Sequence, residues 1–129
     1  MSRVTFETAT RLKDAGFPQP KPEPGQTWFY PIDGCMTIVE TGQWHSLKLI
    51  RVFNESGCGE YETGQIIEHG AFTPALEDIT ALLPSVFTLE MREGRHSCNI
   101  DTWQNLVQTQ ADNFAEAAAL AWIALNTHQ

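Results

Sequence analysis

The chain has 129 residues, enough for one domain with a core of useful size, and its mixture of apolar and charged residues is that of a globular protein, not a disordered one. Sixteen acidic side chains face eight basic ones, for a formal net charge of −8. Phosphate backbones are bound by clustered Lys and Arg. The closest approach to a cluster here is Arg92, Arg95 and His96, broken by Glu93, so direct nucleic-acid binding is disfavoured.

Residues 6–15 are expected as the first helix. Thr5 can cap it, Phe6, Ala9 and Leu12 form a thin apolar stripe, and Gly16 supplies a left-handed stop. Phe17 is then placed to fold back on Leu12. Pro18, Pro20, Pro22 and Pro24 alternate with polar residues, which makes 18–25 an extended strap and not a PxxP ligand. Trp28, Phe29 and Tyr30 are strong strand formers, closed by Pro31 and an Asp33-Gly34 turn. A return strand over Met36–Glu40 makes a hairpin. Leu47–Phe53 (LKLIRVF) is apolar on both faces and therefore expected at the centre of a sheet. Segment 54–70 holds Gly57, Gly59, Gly64 and Gly70 and reads as a variable loop, with a short fourth strand over Gln65–Glu68.

Thr73-Pro74 signals a second helix, a capping hydroxyl followed by proline at the first helical position, with Leu76, Ile79 and Leu83 on one side. Phe87–Glu93 alternates, Phe87, Leu89 and Met91 inward, and Gly94 turns the chain into a partner strand over His96–Ile100. Thr102–Gln110 fits helix, strand or loop. The last helix, Asn113–Leu125, carries one charge, Glu116. Asn113 and Glu116 form a capping box, and the nearly unbroken apolar run implies burial all round, so this helix is expected to be the spine of the core. The sum is a single α+β domain spanning 1–129: an antiparallel sheet of four to six strands with two or three helices packed on one face.

Three of these pieces, TRLKDAGFPQP running into WFY, FTPALEDITALLP and NFAEAAALAWIALN, resemble in their order small uncharacterised proteins of bacteriophages, prophages and bacterial mobile elements. That resemblance implies no activity, substrate, cofactor or catalytic residue.

The residues themselves offer weak chemistry. No apolar run reaches the roughly 20 residues that span a bilayer, and the first residues hold no apolar stretch of signal-peptide kind, so the expected location is the cytoplasm, without membrane attachment. Cys35, Cys58 and Cys98 are an odd, widely spaced set that suits reduced thiols. Cys35, His45, Cys58 and His69 lack the paired spacing of a zinc site, and no metal or other cofactor is expected. Cys58 lies between two glycines beside Glu60. With His69 it gives the one reading that favours a small enzyme or ligand-binding domain, although an acidic neighbour raises a thiol pKa. Glu60 with Glu62 is what a solvated strand face provides anyway. Three successive aromatics cannot all face one way, so Phe29 or Tyr30 is left for a groove or interface, together with Trp44 in an exposed turn. The leading expectation is a non-enzymatic accessory protein that binds another protein or itself, with Phe29, Tyr30, Trp44, Cys58, Glu60 and His69 as candidate binding residues. A nucleic-acid mimic is a lesser alternative, because the acids are scattered.

Overall fold

The computed structural model of the chain describes residues 4–31, 34–54, 57–84, 87–101 and 106–127. The elements, in order, are α1 (Phe6–Asp14), β1 (Thr27–Tyr30), β2 (Gly34–Trp44), β3 (Leu47–Asn54), β4 (Gly57–Glu62), α2 (Thr63–His69), β5 (Ala71–Thr73), α3 (Leu76–Thr80), β6 (Phe87–Arg92), β7 (Arg95–Asp101), β8 (Leu106–Ala111) and α4 (Phe114–Thr127). The fold is α+β. Its strands form an antiparallel five-stranded sheet, ordered β4-β3-β2-β1-β5, and a second, three-stranded sheet, β6-β7-β8. The chain divides into two compact units, Pro18–Thr73 and a discontinuous one made of Met1–Phe17 with Pro74–Gln129.

In the discontinuous unit, α4 packs on β7, β8, α1 and α3. Ala115, Ala117, Ala118, Ala119 and Ala121 are fully buried, and Trp122 and Ile123 nearly so, which makes α4 the expected spine. The alanines let neighbouring backbone close in: the Thr109 hydroxyl of β8 donates to the Ala117 carbonyl at 2.6 Å. α1 ends as its sequence dictates. Gly16 adopts φ +94°, its N–H donates to the Lys13 carbonyl, and the Phe17 N–H donates to the Leu12 carbonyl at 2.9 Å, a Schellman closure. The Phe17 ring then stands edge-on to Trp122, centroids 5.0 Å apart. Glu93 and Gly94, both at positive φ, make the two-residue β6–β7 turn of type I′.

In the Pro18–Thr73 unit, β2 is the middle strand and β3 an interior one. The covered face carries Trp28, Met36, Ile38, Ile50, Val52 and Phe72, all buried. The strap is held by hydrogen bonds: the Gly25 N–H donates to the Ile38 carbonyl, and the Phe72 N–H donates to Gln19 Oε1 at 3.0 Å.

Several expectations need correction. Segment 54–70 is not a loop; it carries β4 and α2. Glycine suggested irregular chain, yet Gly59 sits opposite Val52 with the Tyr61 ring at van der Waals distance from where a Cβ would stand, so an aromatic covers the strand glycine. Gln65–Glu68 is helical, with Ile66 buried and Ile67 exposed; two adjacent β-branched residues mimic a strand in local propensity alone. Thr73 belongs to β5 and does not cap a helix. Ala75 occupies the N-cap of α3, and its N–H donates to the Asp78 carboxylate at 2.9 Å. Met91, expected inside, is exposed at the hairpin end. Leu106–Ala111 of the ambiguous segment is a strand; Trp103 lies outside the described residues, as does Asp33 of the expected turn.

Candidate functional site: the open face of the five-stranded sheet

Residues directly opposite one another in antiparallel strands share a face, so register assigns every side chain of the sheet. Ile50 and Val52 point to the covered face. Leu49, Arg51 and Phe53 of the same strand point to the other. Across β2, β3 and β4 this second face reads in rows: Thr37–Phe53–Cys58, Glu40–Arg51–Glu60 and Gly42–Leu49–Glu62. LKLIRVF is interior to the sheet, as expected, but its residues on this side are not all buried. Phe53 is 57% exposed and Leu49 is half-buried. In the neighbouring strand Val39, the extra residue of a bulge between Ile38 and Glu40, is 49% exposed. The same face is closed at the other end of the sheet, where Thr27, Ala71 and Thr73 are buried.

The middle row is an ion-pair ladder. Arg51 donates to Glu40 Oε2 at 3.2 Å and to Glu60 Oε1 at 3.4 Å. All three side chains are more than half exposed, so each pair contributes at most about 1 kcal/mol. Two carboxylates share one guanidinium, which leaves the row negative. Next to it Gly42 interrupts the side-chain layer. A Cβ built there meets no heavy atom within 4 Å. Glu40, Gly42, Leu49, Arg51 and Glu60 line a shallow groove of about 550 Å³ at that gap.

The six residues singled out from sequence separate. Cys58 and Glu60 project from β4 onto the open face, Glu60 into the ladder. Phe29 lies on that face toward its closed end, opposite Cys35 and Ala71. Tyr30 points the other way, its ring 5.1 Å from that of Tyr61. Trp44 ends β2 opposite Leu47, beside a turn in which His45 has φ +55°. His69 closes α2, exposed, 3.8 Å from the Glu68 carboxylate. Among the described residues no imidazole contacts the Cys58 thiol, and no three His, Cys, Asp or Glu side chains converge as metal ligands do. The open-face residues that sequence reading missed are Gly42, Leu49, Arg51 and Phe53. The one signal for them was a lone glycine in a strand, which marks a place where something approaches closely.

None of the three cysteines is in a disulfide. Cys35 and Cys58 are exposed on the same face but two strand spacings across and two residues along from each other, about 12 Å, too far to bridge. Cys98 is fully buried in β7, and desolvation raises its pKa from 9.0 to about 11. Two thiols are therefore expected to react with a chromogenic disulfide in the native protein and the third only on unfolding. Between pH 9 and 11 the folded state keeps a proton on Cys98 that the unfolded state has lost. Stability is then expected to fall as pH rises through that window, by about 1.4 kcal/mol per pH unit, and Cys98→Ala to remove this slope in denaturant titrations.

No family model, curated protein or solved structure matches the chain. Among the described residues no helix is long and apolar enough to cross a membrane.

Proposed function

We propose that this chain is a non-enzymatic accessory protein of the mobile-element type, acting in the cytoplasm by binding another protein through the open face of β2, β3 and β4. One observation carries the reading: Phe53, a large aromatic residue on an interior strand, stands mostly in solvent, with Val39 of the neighbouring strand also exposed. The solvated face of an antiparallel sheet is normally polar, so a large aromatic exposed there beside a charged row marks a candidate partner-binding surface. The helix and strap motifs that resemble phage and prophage proteins support the mobile-element part. The net charge of −8 favours a protein partner over nucleic acid.

The catalytic reading is the weaker one, since Glu60 is engaged by Arg51 and His69 stands exposed at the end of α2. The test is affinity capture from a bacterial lysate with wild type and Phe53→Asp as parallel baits, alongside light scattering of each. Phe53 is mostly exposed and lies outside the core, so the variant should remain folded, with a loss of no more than about 1 kcal/mol in stability. As a central aromatic anchor its loss should cost about 2 kcal/mol or more of binding, and the captured protein should disappear. A strictly monomeric protein that captures nothing, or two baits that capture alike, would refute the reading.

A further inference from the structure

The groove at Gly42 has a shape and a charge that select one kind of occupant. Its floor is bare backbone at Gly42, its apolar wall is Leu49, and its rim is the Glu40–Arg51–Glu60 ladder. We infer that this groove receives a lysine or arginine side chain presented by the partner protein, the aliphatic stem lying over Gly42 against Leu49 and the cationic head meeting Glu40 and Glu60. The inference rests on reading the open face as a docking surface and names what that surface recognises.

Three observations favour this occupant. The ladder holds two carboxylates for one guanidinium, so an incoming cation gains an ion partner without displacing Arg51 altogether. Glu62, exposed in the neighbouring row opposite Leu49, adds a third negative charge to the same face. Long basic side chains pair an apolar stem with a charged tip, the same pairing the groove offers between Leu49 and the carboxylates. A second copy of this chain is the weaker candidate, because each copy carries a net charge of −8 and like-charged surfaces repel at the contact.

The ¹⁵N-labelled full chain would be titrated with the capped pentapeptide Gly-Val-Lys-Val-Gly and with its counterpart bearing Glu in place of Lys. The lysine peptide is expected to move the amides of Gly42, Leu49, Arg51 and Glu60, with an affinity that weakens as salt is raised, and the glutamate peptide to leave them in place. Gly42→Val should weaken the lysine peptide by at least about tenfold. The added side chain meets nothing within 4 Å and the backbone there is not left-handed, so the groove is filled without strain in the fold. The double variant Glu40→Gln with Glu60→Gln should weaken binding similarly while leaving the groove open. Equal responses to the two peptides, unmoved groove amides, or full binding by Gly42→Val would each overturn the inference. If Phe53→Asp loses the captured partner while the lysine peptide leaves the groove unmoved, the docking surface stands and its selectivity for a basic side chain fails. If the peptide binds as expected and Phe53→Asp keeps its partner, the groove stands and the assignment of the whole face to that partner fails.

Discussion

Trp28→Ala is expected to cost about 3–5 kcal/mol, in the range for deleting a buried aromatic side chain. A unit the size of Pro18–Thr73 has a stability of similar order at roughly 0.1 kcal/mol per residue, so the substitution should largely unfold it. Trp28 is fully buried in β1, opposite Met36 of β2 and Phe72 of β5, with the Phe72 ring edge-on at 5.7 Å. Its environment is tight. A Cβ added at Gly70 would lie 3.4 Å from the indole and 2.6 Å from the Ile66 carbonyl, so only glycine fits where this backbone passes the tryptophan. The indole N–H donates to Gln26 Oε1 at 2.9 Å. That same oxygen accepts from the Glu23 N–H, and the Gln26 side-chain amide donates to the Lys21 carbonyl, so the tryptophan also anchors the proline strap. Trp28→Phe keeps most of the apolar volume and loses the hydrogen bond, and about 1–2 kcal/mol is expected for it. Urea titration of the full chain followed by tryptophan fluorescence and by amide exchange at Glu23 would measure both effects. A Trp28→Ala protein as stable as wild type would show that the indole is not the centre of this core.

What the sequence made legible were features settled within a few residues. The capped and glycine-terminated α1, the β6–β7 hairpin with its Glu93-Gly94 turn, and α4 with its Asn113 cap all formed where expected. Each depends on a local signal: a side-chain oxygen near free N–H groups, a positive φ that glycine accommodates, an unbroken apolar run. The β4–α2 region was illegible for the opposite reason. Its glycines and its Ile66-Ile67 pair have no preferred state alone, and the outcome depends on β3 offering an edge to pair with. The open face was hidden in the same way. Cys58 and Glu60 were named and do lie on it, yet Phe53 and Arg51 were read only as part of a central strand. An apolar alternation tells which residues share a face, and only the tertiary fold decides which face is covered.

Glu116→Ala is the second substitution expected to be severe, at about 3 kcal/mol, because this carboxylate ties the last helix to the first. Glu116 was expected to close its own helix as half of a capping box. The Asn113 half is formed, Asn113 Oδ1 accepting the Glu116 N–H at 2.8 Å. The Glu116 carboxylate, 9% exposed, reaches instead to the N-terminus of α1. Its Oε2 accepts the Thr5 N–H at 3.0 Å, and its Oε1 accepts the hydroxyls of Thr5 and Thr8. Thr5 itself caps α1 by accepting the Thr8 N–H at 3.2 Å, so the carboxylate fixes the residue that fixes the helix. It also places a negative charge at the positive end of the α1 dipole. Alanine removes a desolvated charge and is a good helix former, which offsets part of the loss. Against that, one backbone N–H and two hydroxyls lose their acceptor; the Thr8 hydroxyl among them is buried, and a donor buried without a partner costs about 1–3 kcal/mol. Glu116→Gln preserves the shape but presents an amide N–H₂ to one of these donors, and about half the effect is expected. Glu7→Gln, at an exposed acid in the first turn of α1, isolates the dipole contribution and should cost only a few tenths of a kcal/mol. Denaturant titrations of the three variants with an unchanged m-value would establish the order Glu116→Ala, Glu116→Gln, Glu7→Gln. If all three melted together, the carboxylate would be a passenger on α4, and the joining of α1 to α4 would have to rest on apolar packing such as the Phe17–Trp122 contact alone.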